Sequence, residues 1–346
     1  MQRLVYLDAL RGIAALMVVF SHLYEPLLED VWLFHELLDV GKLGVLWFFM
    51  ISGVVIPFSL RPVPDGARRF VISRFMRLYP AYWLSLLVYL PMLQLVGWVM
   101  PTWAQVMANL TMLQTLLGFS DVVGLYWTLF IELIFYGLCL LLFSSGKLYD
   151  LATRTRWTLG MLVLALVLAL TRELTERKLP VALPLALSLM FFGSIWRQWL
   201  LGEHSRQLTR SLVLVAGACL MLLPPTLLLA YGRAADAGET SGRYLFTYAF
   251  AIASFVLLTH FVQLKHPLLV WLGGISYSVY LLHPSMLLLS WWLLKDSQVA
   301  PWQSAVFATL LTLVIAPLSF RFIETPFIQL GKRLNNRHAK TQPARA

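Results

Sequence analysis

Long runs of apolar residues recur along the whole chain, separated by short polar segments. A helix needs roughly 20 mainly apolar residues to cross the hydrocarbon core of a bilayer. The pattern therefore predicts an all-α integral membrane protein, a bundle of about ten transmembrane helices. The predicted spans are residues 9–28, 41–60, 74–99, 123–144, 157–171, 182–200, 211–231, 244–263, 268–294 and 302–324.

Composition supports this class of protein. Of the 346 residues, 59% are hydrophobic and only 13% are charged, and the mean hydropathy is +0.74. Soluble domains have about 25% charged residues, so a water-soluble globule is excluded. The net charge of +10 does not indicate nucleic-acid binding, because the basic residues lie in short loops where membrane topology alone requires them. Cys139 and Cys219 lie in apolar runs and indicate neither a disulfide framework nor a metal site.

The distribution of lysine and arginine predicts the orientation. With both termini in the cytoplasm, the inner loops and tails hold more than twice as many Lys and Arg residues as the outer loops. Residues 100–122 then lie outside and are a candidate part of an acceptor-binding site. We expect residues 1–330 to form the transmembrane domain and residues 331–346 to form a basic cytoplasmic tail.

The first predicted span contains three ionisable residues, Asp8, Arg11 and His22. Arg11 and His22 are eleven residues apart, which places both on one helix face, offset by about 16 Å along the axis. This spacing places His22 close to mid-membrane, where an imidazole that titrates near neutrality suits proton transfer. Asp8 can pair with Arg11 at i, i+3. The alternatives are an Arg11 side chain that extends to the interface and a buried, hydrogen-bonded His22.

The third span begins with a pair of arginines, Arg74 and Arg77, at i, i+3. Their guanidinium groups share one helix face, and paired guanidinium groups suit a phosphate-bearing ligand. The alternative is that both only anchor the helix at the cytoplasmic surface.

Later spans also contain polar residues. Glu132 lies well inside the fourth span and must face a cavity, pair with another span or be protonated. Ser276, Tyr280 and His283 share one face of the ninth span, as in a glycan-binding surface or a proton relay. Hydrogen bonds between helices are the alternative for both groups. We also expect Glu324 to form a salt bridge with Arg321, three residues earlier in the last span.

Several catalytic motifs are missing from the sequence. It contains no G-x-S-x-G elbow, no Walker-type phosphate loop, no H-E-x-x-H and no paired C-x-x-C. Hydrolase, ATPase and metalloenzyme functions therefore have no support, and we expect no metal.

Six segments, in order, resemble those of the acyltransferase family 3 membrane proteins, bacterial O-acyltransferases that act on cell-envelope glycans. The segments contain Asp8 with Arg11 and His22; residues 48–53; Arg74-x-x-Arg77; Trp127-Thr128-Leu129-x-x-Glu132; residues 275–284; and Arg321-x-x-Glu324. The resemblance implies a ten-helix bundle in the bacterial inner membrane, acetyl-CoA as the acyl donor and a glycan or glycolipid acceptor. It places functional weight on Arg11, His22, Arg74 and Arg77. It also implies the form without a soluble transferase domain.

These observations give one hypothesis for the mechanism. Arg74 and Arg77, with Arg11, bind the phosphates of cytoplasmic acyl-CoA, and the pantetheine arm follows the polar face of the first span. His22 is the general base for the acceptor hydroxyl, assisted by Glu132. The remaining predicted site residues are Asp8 for catalysis and Trp127, Ser276, Tyr280 and His283 for binding the acceptor.

The alternative from another class is a proton-coupled transporter or flippase of a glycan or glycolipid. In that protein, Asp8, His22 and Glu132 would form the proton path. The sequence shows no inverted repeat or paired broken helices of the kind that many transporters have. An acyltransferase changes the covalent structure of the glycan, whereas a transporter does not, and this difference distinguishes the two functions.

Overall fold

A computed structural model describes residues 4–28, 30–232 and 240–341, and every regular element in these ranges is helical. The α-helices are α1 (Val5–Leu23), α2 (Val40–Val55), α3 (Gly66–Leu95), α4 (Trp103–Leu110), α5 (Tyr126–Ser144), α6 (Leu151–Thr175), α7 (Ala182–Leu200), α8 (Arg206–Tyr231), α9 (Ser241–Leu257), α10 (Pro267–Leu294), α11 (Pro301–Ser319) and α12 (Thr325–Thr341). The predicted all-α membrane bundle is therefore confirmed. Arg3, Arg233 and Arg345, which contribute to the predicted orientation, lie outside the described residues.

Within the described ranges, nine helices are long and apolar enough to cross a membrane, against ten predicted. The difference is α7, which has the predicted bounds but is less apolar than the other nine. Every residue from Pro184 to Arg197 is buried. Because protein surrounds α7 on all sides, this helix does not need a surface that is apolar enough for lipid.

The chain divides into two compact units. The first unit comprises Met1–Phe58 and Ile131–Gly273, and the second comprises Ser59–Phe130 and Gly274–Ala346. In the first unit, α2 packs on both α1 and α7, and α6 packs on α7 and α8.

Glycines permit the close contact of α2 with α7. A Cβ on Gly53 would overlap the backbone of Met190, and a Cβ on Gly193 would overlap the backbone of Met50. The two helices therefore touch backbone to backbone, in the manner of small-residue contacts between membrane helices. This contact explains the Gly53 position in the second predicted span.

In the second unit, α3 contacts both the short helix α4 and the C-terminal helix α12. Three aromatic side chains of α3 donate hydrogen bonds to carbonyls at the end of α4: Tyr82 to Asn109, Tyr79 to Thr111 and Trp83 to Leu110. These bonds satisfy carbonyls that a helix C-terminus leaves unpaired. Residues 100–122 thus contain an ordered helix.

Two segments differ from their predicted bounds. The first helix is Val5–Leu23, whereas the predicted span was 9–28, because Pro26 cannot continue the helical hydrogen bonding. The last span does not end in an irregular tail. A π-helical turn, Phe320–Glu324, joins α11 to α12, so residues 331–341 of the predicted basic tail are helical, and residues 342–346 lie outside the description.

Candidate functional site

The predicted site residues fall in both units. Asp8, Arg11, His22 and Glu132 belong to the first unit. Those of the second unit are Arg74, Arg77, Trp127, Ser276, Tyr280 and His283.

Asp8 and Arg11 form the ion pair that the sequence predicted. The Nη1 of Arg11 lies 3.2 Å from Oδ1 of Asp8, and the two side chains are 21% and 19% exposed. An i, i+3 pair on one helix neutralises both charges locally. The positive charge of Arg11 is therefore matched by Asp8. The predicted catalytic role of Asp8 and the predicted CoA contact of Arg11 stay predictions.

His22 is the next-to-last residue of α1, and its position close to mid-membrane stays a prediction. Its side chain is exposed, and its Nδ1 lies 3.0 Å from the carbonyl oxygen of Val18. A carbonyl only accepts hydrogen bonds, so Nδ1 is the protonated nitrogen of the neutral ring. The Nε2 atom then has the lone pair that a general base requires.

A polar network around Glu25 lies next to His22 in the first unit. Glu25 accepts hydrogen bonds from the hydroxyl of Ser21 at 2.6 Å and from the amide of Val40 at 3.0 Å. The guanidinium of Arg243 lies 3.6 Å from the same carboxylate. Burial raises the pKa of Glu25, and these three partners oppose that shift only in part. The network joins α1, α2 and α9 next to His22.

Glu132 has partners other than His22. Its Oε1 accepts hydrogen bonds from Tyr136 at 2.6 Å and from Ser52 at 3.4 Å. The sequence predicted that Glu132 is buried inside a span and must have partners there. The structure supplies two hydroxyl groups, one from its own helix and one from α2.

The register of α2 separates Glu132 from His22. Ser52 contacts Glu132, whereas a Cβ on Gly41 would lie 2.5 Å from the Ser21 hydroxyl, next to His22. Gly41 and Ser52 are eleven positions apart in α2, which is about 16 Å along the helix axis. The predicted arrangement in which Glu132 orients His22 is therefore wrong.

The second unit contains a cavity of about 430 Å³ with a strongly cationic lining. Four of its residues are basic, Arg61, Arg69, Arg74 and Lys332, and no Asp or Glu is among the described residues that line it. The full lining is Ser59, Arg61, Val63, Gly66, Arg69, Phe70, Ser73, Arg74, Lys332, Asn335 and Asn336. We call it the cationic cavity.

The start of α3 forms one side of the cationic cavity. Asp65 adopts a left-handed conformation with φ of 59°, and the helix begins at Gly66 without a side-chain cap. The amides of the first helical turn have no partner within the helix, and they favour an anion. The guanidinium of Arg74 lies 5.4 Å from the centre of the Phe70 ring, which holds it against the cavity.

Arg77 does not line the cavity, although the sequence predicted that it binds the same ligand as Arg74. Its charge acts instead on the buried carboxylate of Glu324. Glu324 also accepts a hydrogen bond from Ser278, whose hydroxyl contacts Ser319. The expected ion pair between Glu324 and Arg321 is wrong. The Arg321 guanidinium lies over the ring of Phe322 instead.

The predicted polar stripe of α10 makes hydrogen bonds within the second unit. The hydroxyl of Tyr280 lies 2.6 Å from that of Thr128 and donates to the carbonyl of Leu125 at 3.1 Å. These bonds match the structural alternative that the sequence left open for this residue. Trp127 precedes Thr128 and is half-buried.

His283 and Ser276 are both buried, at 0% and 4% exposure. The Nδ1 of His283 lies 3.2 Å from the carbonyl oxygen of Val279, and its ring is 6.3 Å from that of Tyr280. A glycan has no direct access to side chains buried to this extent. Their role in acceptor binding, like that of Trp127, stays a prediction.

Sequence reasoning missed three of the four cations of the cavity, Arg61, Arg69 and Lys332. A signal was present, because five arginines lie from residue 61 to residue 77, in the second predicted loop and the start of the third predicted span. Membrane topology alone explains basic loops, so this density did not distinguish a binding site from anchoring.

Comparison with known families gives the class of protein. The sequence model of the acyltransferase domain family, acyltransferase family 3, matches residues 4–321, nearly the whole chain. The chain belongs to this family and is a membrane acyltransferase. Searches of curated proteins and of solved structures found no significant match.

Proposed function

We propose that the protein transfers an acyl group, most simply acetyl, from cytoplasmic acyl-CoA to a hydroxyl of a cell-envelope glycan or glycolipid. The observation that supports this proposal best is the cationic cavity. The family provides the reaction class, and the cavity provides a reason to choose CoA as the donor.

The chemistry of the cavity fits the nucleotide end of CoA. That end has a diphosphate and a 3′-phosphate, and it is the only strongly anionic part of the molecule. Four basic side chains line the cavity, and no Asp or Glu is among the described residues that line it; these like charges repel one another, and an anionic ligand relieves that repulsion. Arginine binds phosphate through two charge-assisted hydrogen bonds at a time.

The predicted orientation agrees with this donor. The segment between residues 61 and 77 lies in the cytoplasm if the termini do, and acyl-CoA is a cytoplasmic metabolite. The excess of basic residues on that side supports the orientation. The cavity would then open toward the compartment that contains the donor.

His22 is the general base in this proposal. Its Nε2 takes the proton of the acceptor hydroxyl while the hydroxyl oxygen attacks the carbonyl carbon of the thioester. The new C–O bond forms, the C–S bond breaks, and the imidazolium returns its proton to the thiolate of CoA. The hydrogen bond from Nδ1 to Val18 fixes the tautomer that places the lone pair on Nε2.

The test is mass spectrometry of envelope glycans from cells that express wild type or His22→Ala at equal membrane abundance. We expect an acetyl-sized mass gain on a glycan only with wild type. In proteoliposomes, the same transfer should release CoA in proportion to product. A glycan that changes compartment without a change in mass would contradict the proposal and favour a transporter.

A further inference from the structure

The C-terminal helix α12 lies beyond the part of the chain that matches the family. The match ends at residue 321, and α12 comprises Thr325–Thr341. Yet Lys332, Asn335 and Asn336 of this helix line the cationic cavity. The cavity therefore includes side chains that the family region does not contain.

Two contacts hold α12 against α3 at this point. A Cβ on Gly331 would lie 3.1 Å from the Cβ of Met76, so the helices approach closely there. Four residues later, the Nδ2 of Asn335 donates a hydrogen bond of 3.1 Å to the carbonyl oxygen of Arg69. This bond joins α12 to the backbone of a cavity arginine.

Helical geometry places Lys332 on the same side of α12 as Asn335. Lys332 precedes Asn335 by three residues and Asn336 by four, so these side chains share one helix face. The Lys332 side chain is exposed, which leaves its ammonium group accessible to a ligand in the cavity. Arg333, the next residue, is also exposed but is not among the lining residues.

We propose that α12 is part of the donor site of this chain: Lys332 contacts a phosphate of acyl-CoA, and Asn335 is a positioning residue that holds the helix in place. This inference rests on the proposed function, in which the cavity binds CoA. It adds a phosphate contact from outside the family region.

The test compares two donors that differ in their phosphates, acetyl-CoA and the phosphate-free acetyl-pantetheine. In nanodiscs of zwitterionic lipid, Lys332→Gln should raise the KM for acetyl-CoA about five- to tenfold and leave that for acetyl-pantetheine unchanged. Lys332→Arg should restore most of the loss. Arg333→Gln is the matched control, with the same change of charge next to the cavity and an unchanged KM.

Asn335→Ala tests the positioning role. It should raise the KM for acetyl-CoA without changing kcat, and it should add little to Lys332→Gln in the double variant, because Asn335 acts through α12. A variant that merely loosens the fold would instead lower kcat with both donors. Equal losses with acetyl-pantetheine would overturn the positioning role.

Phosphates in the cavity could also come from anionic lipid headgroups, and a second arm separates the two sources. If the site is for CoA, adding phosphatidylglycerol to the nanodiscs should leave the KM ratio of Lys332→Gln to wild type unchanged. If phosphatidylglycerol brings the KM of Lys332→Gln and that of wild type to the same value, the cavity is a lipid site and the inference is overturned. Equal effects of Lys332→Gln and Arg333→Gln would also overturn it while leaving the proposed donor intact. A donor preference for acetyl-pantetheine in wild type would contradict the proposed function itself.

Discussion

The first unit contains two ion pairs, Asp8 with Arg11 and Glu25 with Arg243. In the second unit, the cationic cavity gathers four basic side chains with no acidic neighbour among the described residues that line it. Charges paired inside a protein stabilise particular contacts between helices, whereas a cavity of one sign is stable chiefly when a counter-charge enters it. The contrast predicts which charged residues hold the fold and which bind a ligand.

The motif Arg74-x-x-Arg77 shows the same contrast within one helical turn. Arg74 lines the cationic cavity, whereas the charge of Arg77 acts on the buried Glu324. Two arginines that look equivalent in the sequence therefore have different expected effects, one on donor binding and the other on stability.

The largest effect should come from His22, the proposed general base, whose expected role is in the chemical step and not in donor binding. His22→Ala should lower kcat about 100- to 10,000-fold, the range typical of a lost general base. The KM for acetyl-CoA should change little, since His22 does not line the cationic cavity. Steady-state kinetics in nanodiscs measure both. Unchanged membrane abundance and thermal stability provide the control, and retained kcat would remove His22 from the mechanism.

The next largest effect should be on packing in the first unit. Gly53→Ala places a methyl group against the backbone of Met190, where neither helix can yield without moving. We expect a loss of at least about 3 kcal/mol in stability, from overpacking of a backbone contact. Gly160→Ala in α6 is the matched control, because nothing lies within 4 Å of its Cβ. The measurement is the melting temperature in detergent, and similar values for both variants would contradict the close contact.

Neutralising the cavity should affect donor binding. Arg69→Gln combined with Arg74→Gln should raise the KM for acetyl-CoA about 100-fold and leave kcat within a few-fold, at about 1.5 kcal/mol or more for each lost charge-assisted hydrogen bond. Arg68→Gln removes a charge from the same segment, but Arg68 is exposed and does not line the cavity. An equal rise in KM for Arg68→Gln would contradict a specific site, because the arginines would then act only through general electrostatic attraction of the donor.

A smaller effect, on stability, should distinguish Arg77 from Arg74. Arg77→Gln leaves the buried carboxylate of Glu324 without that charge and should lower stability by about 1–3 kcal/mol. Glu324→Gln in the same chain should recover part of the loss, as a double-mutant cycle in melting temperatures would show. Arg74→Gln should change the melting temperature little. Additive effects of Arg77→Gln and Glu324→Gln would contradict the pairing.

The smallest effect concerns a helix cap outside the membrane spans. The Oδ2 of Asp150 accepts hydrogen bonds from the amide of Thr153 at 2.8 Å and from its hydroxyl at 2.6 Å, which holds the pKa of Asp150 below its usual range. Because the folded-state pKa is lowered, the stabilisation is present above the unfolded-state pKa and is lost as pH falls through the folded-state value.

Asp150→Ala should therefore lower stability by about 0.5–1 kcal/mol near neutral pH, and the difference should vanish in acid. Asp150→Asn retains an acceptor and should lose less, with little dependence on pH. Melting curves across a pH series measure these differences. A constant difference between wild type and Asp150→Ala at all pH values would contradict a role for the carboxylate charge.

The sequence predicted the helices well, because apolar runs of span length require few tertiary details. It predicted the Asp8–Arg11 pair for a similar reason, since i, i+3 contacts are set by local helix geometry. It could not predict that Ser52 of α2 contacts Glu132, or that the charge of Arg77 acts on Glu324, because these residues come from different helices. Nor could it assign Lys332 to the cavity, because a basic helix after the last span resembles an ordinary cytoplasmic tail.

The central claim is that the cationic cavity binds acyl-CoA from the cytoplasmic side. It can be tested with Ser73→Cys, a residue that lines the cavity and is exposed, after Cys139 and Cys219 are replaced by Ala. A membrane-impermeant maleimide is added to inside-out and right-side-out vesicles, with CoA or pantetheine. Arg68→Cys serves as the control outside the cavity.

The account predicts labelling of Ser73→Cys only in inside-out vesicles, slowed by CoA but not by pantetheine, with no slowing at Arg68→Cys. Labelling of Ser73→Cys at the same rate with and without CoA, or only in right-side-out vesicles, would contradict it.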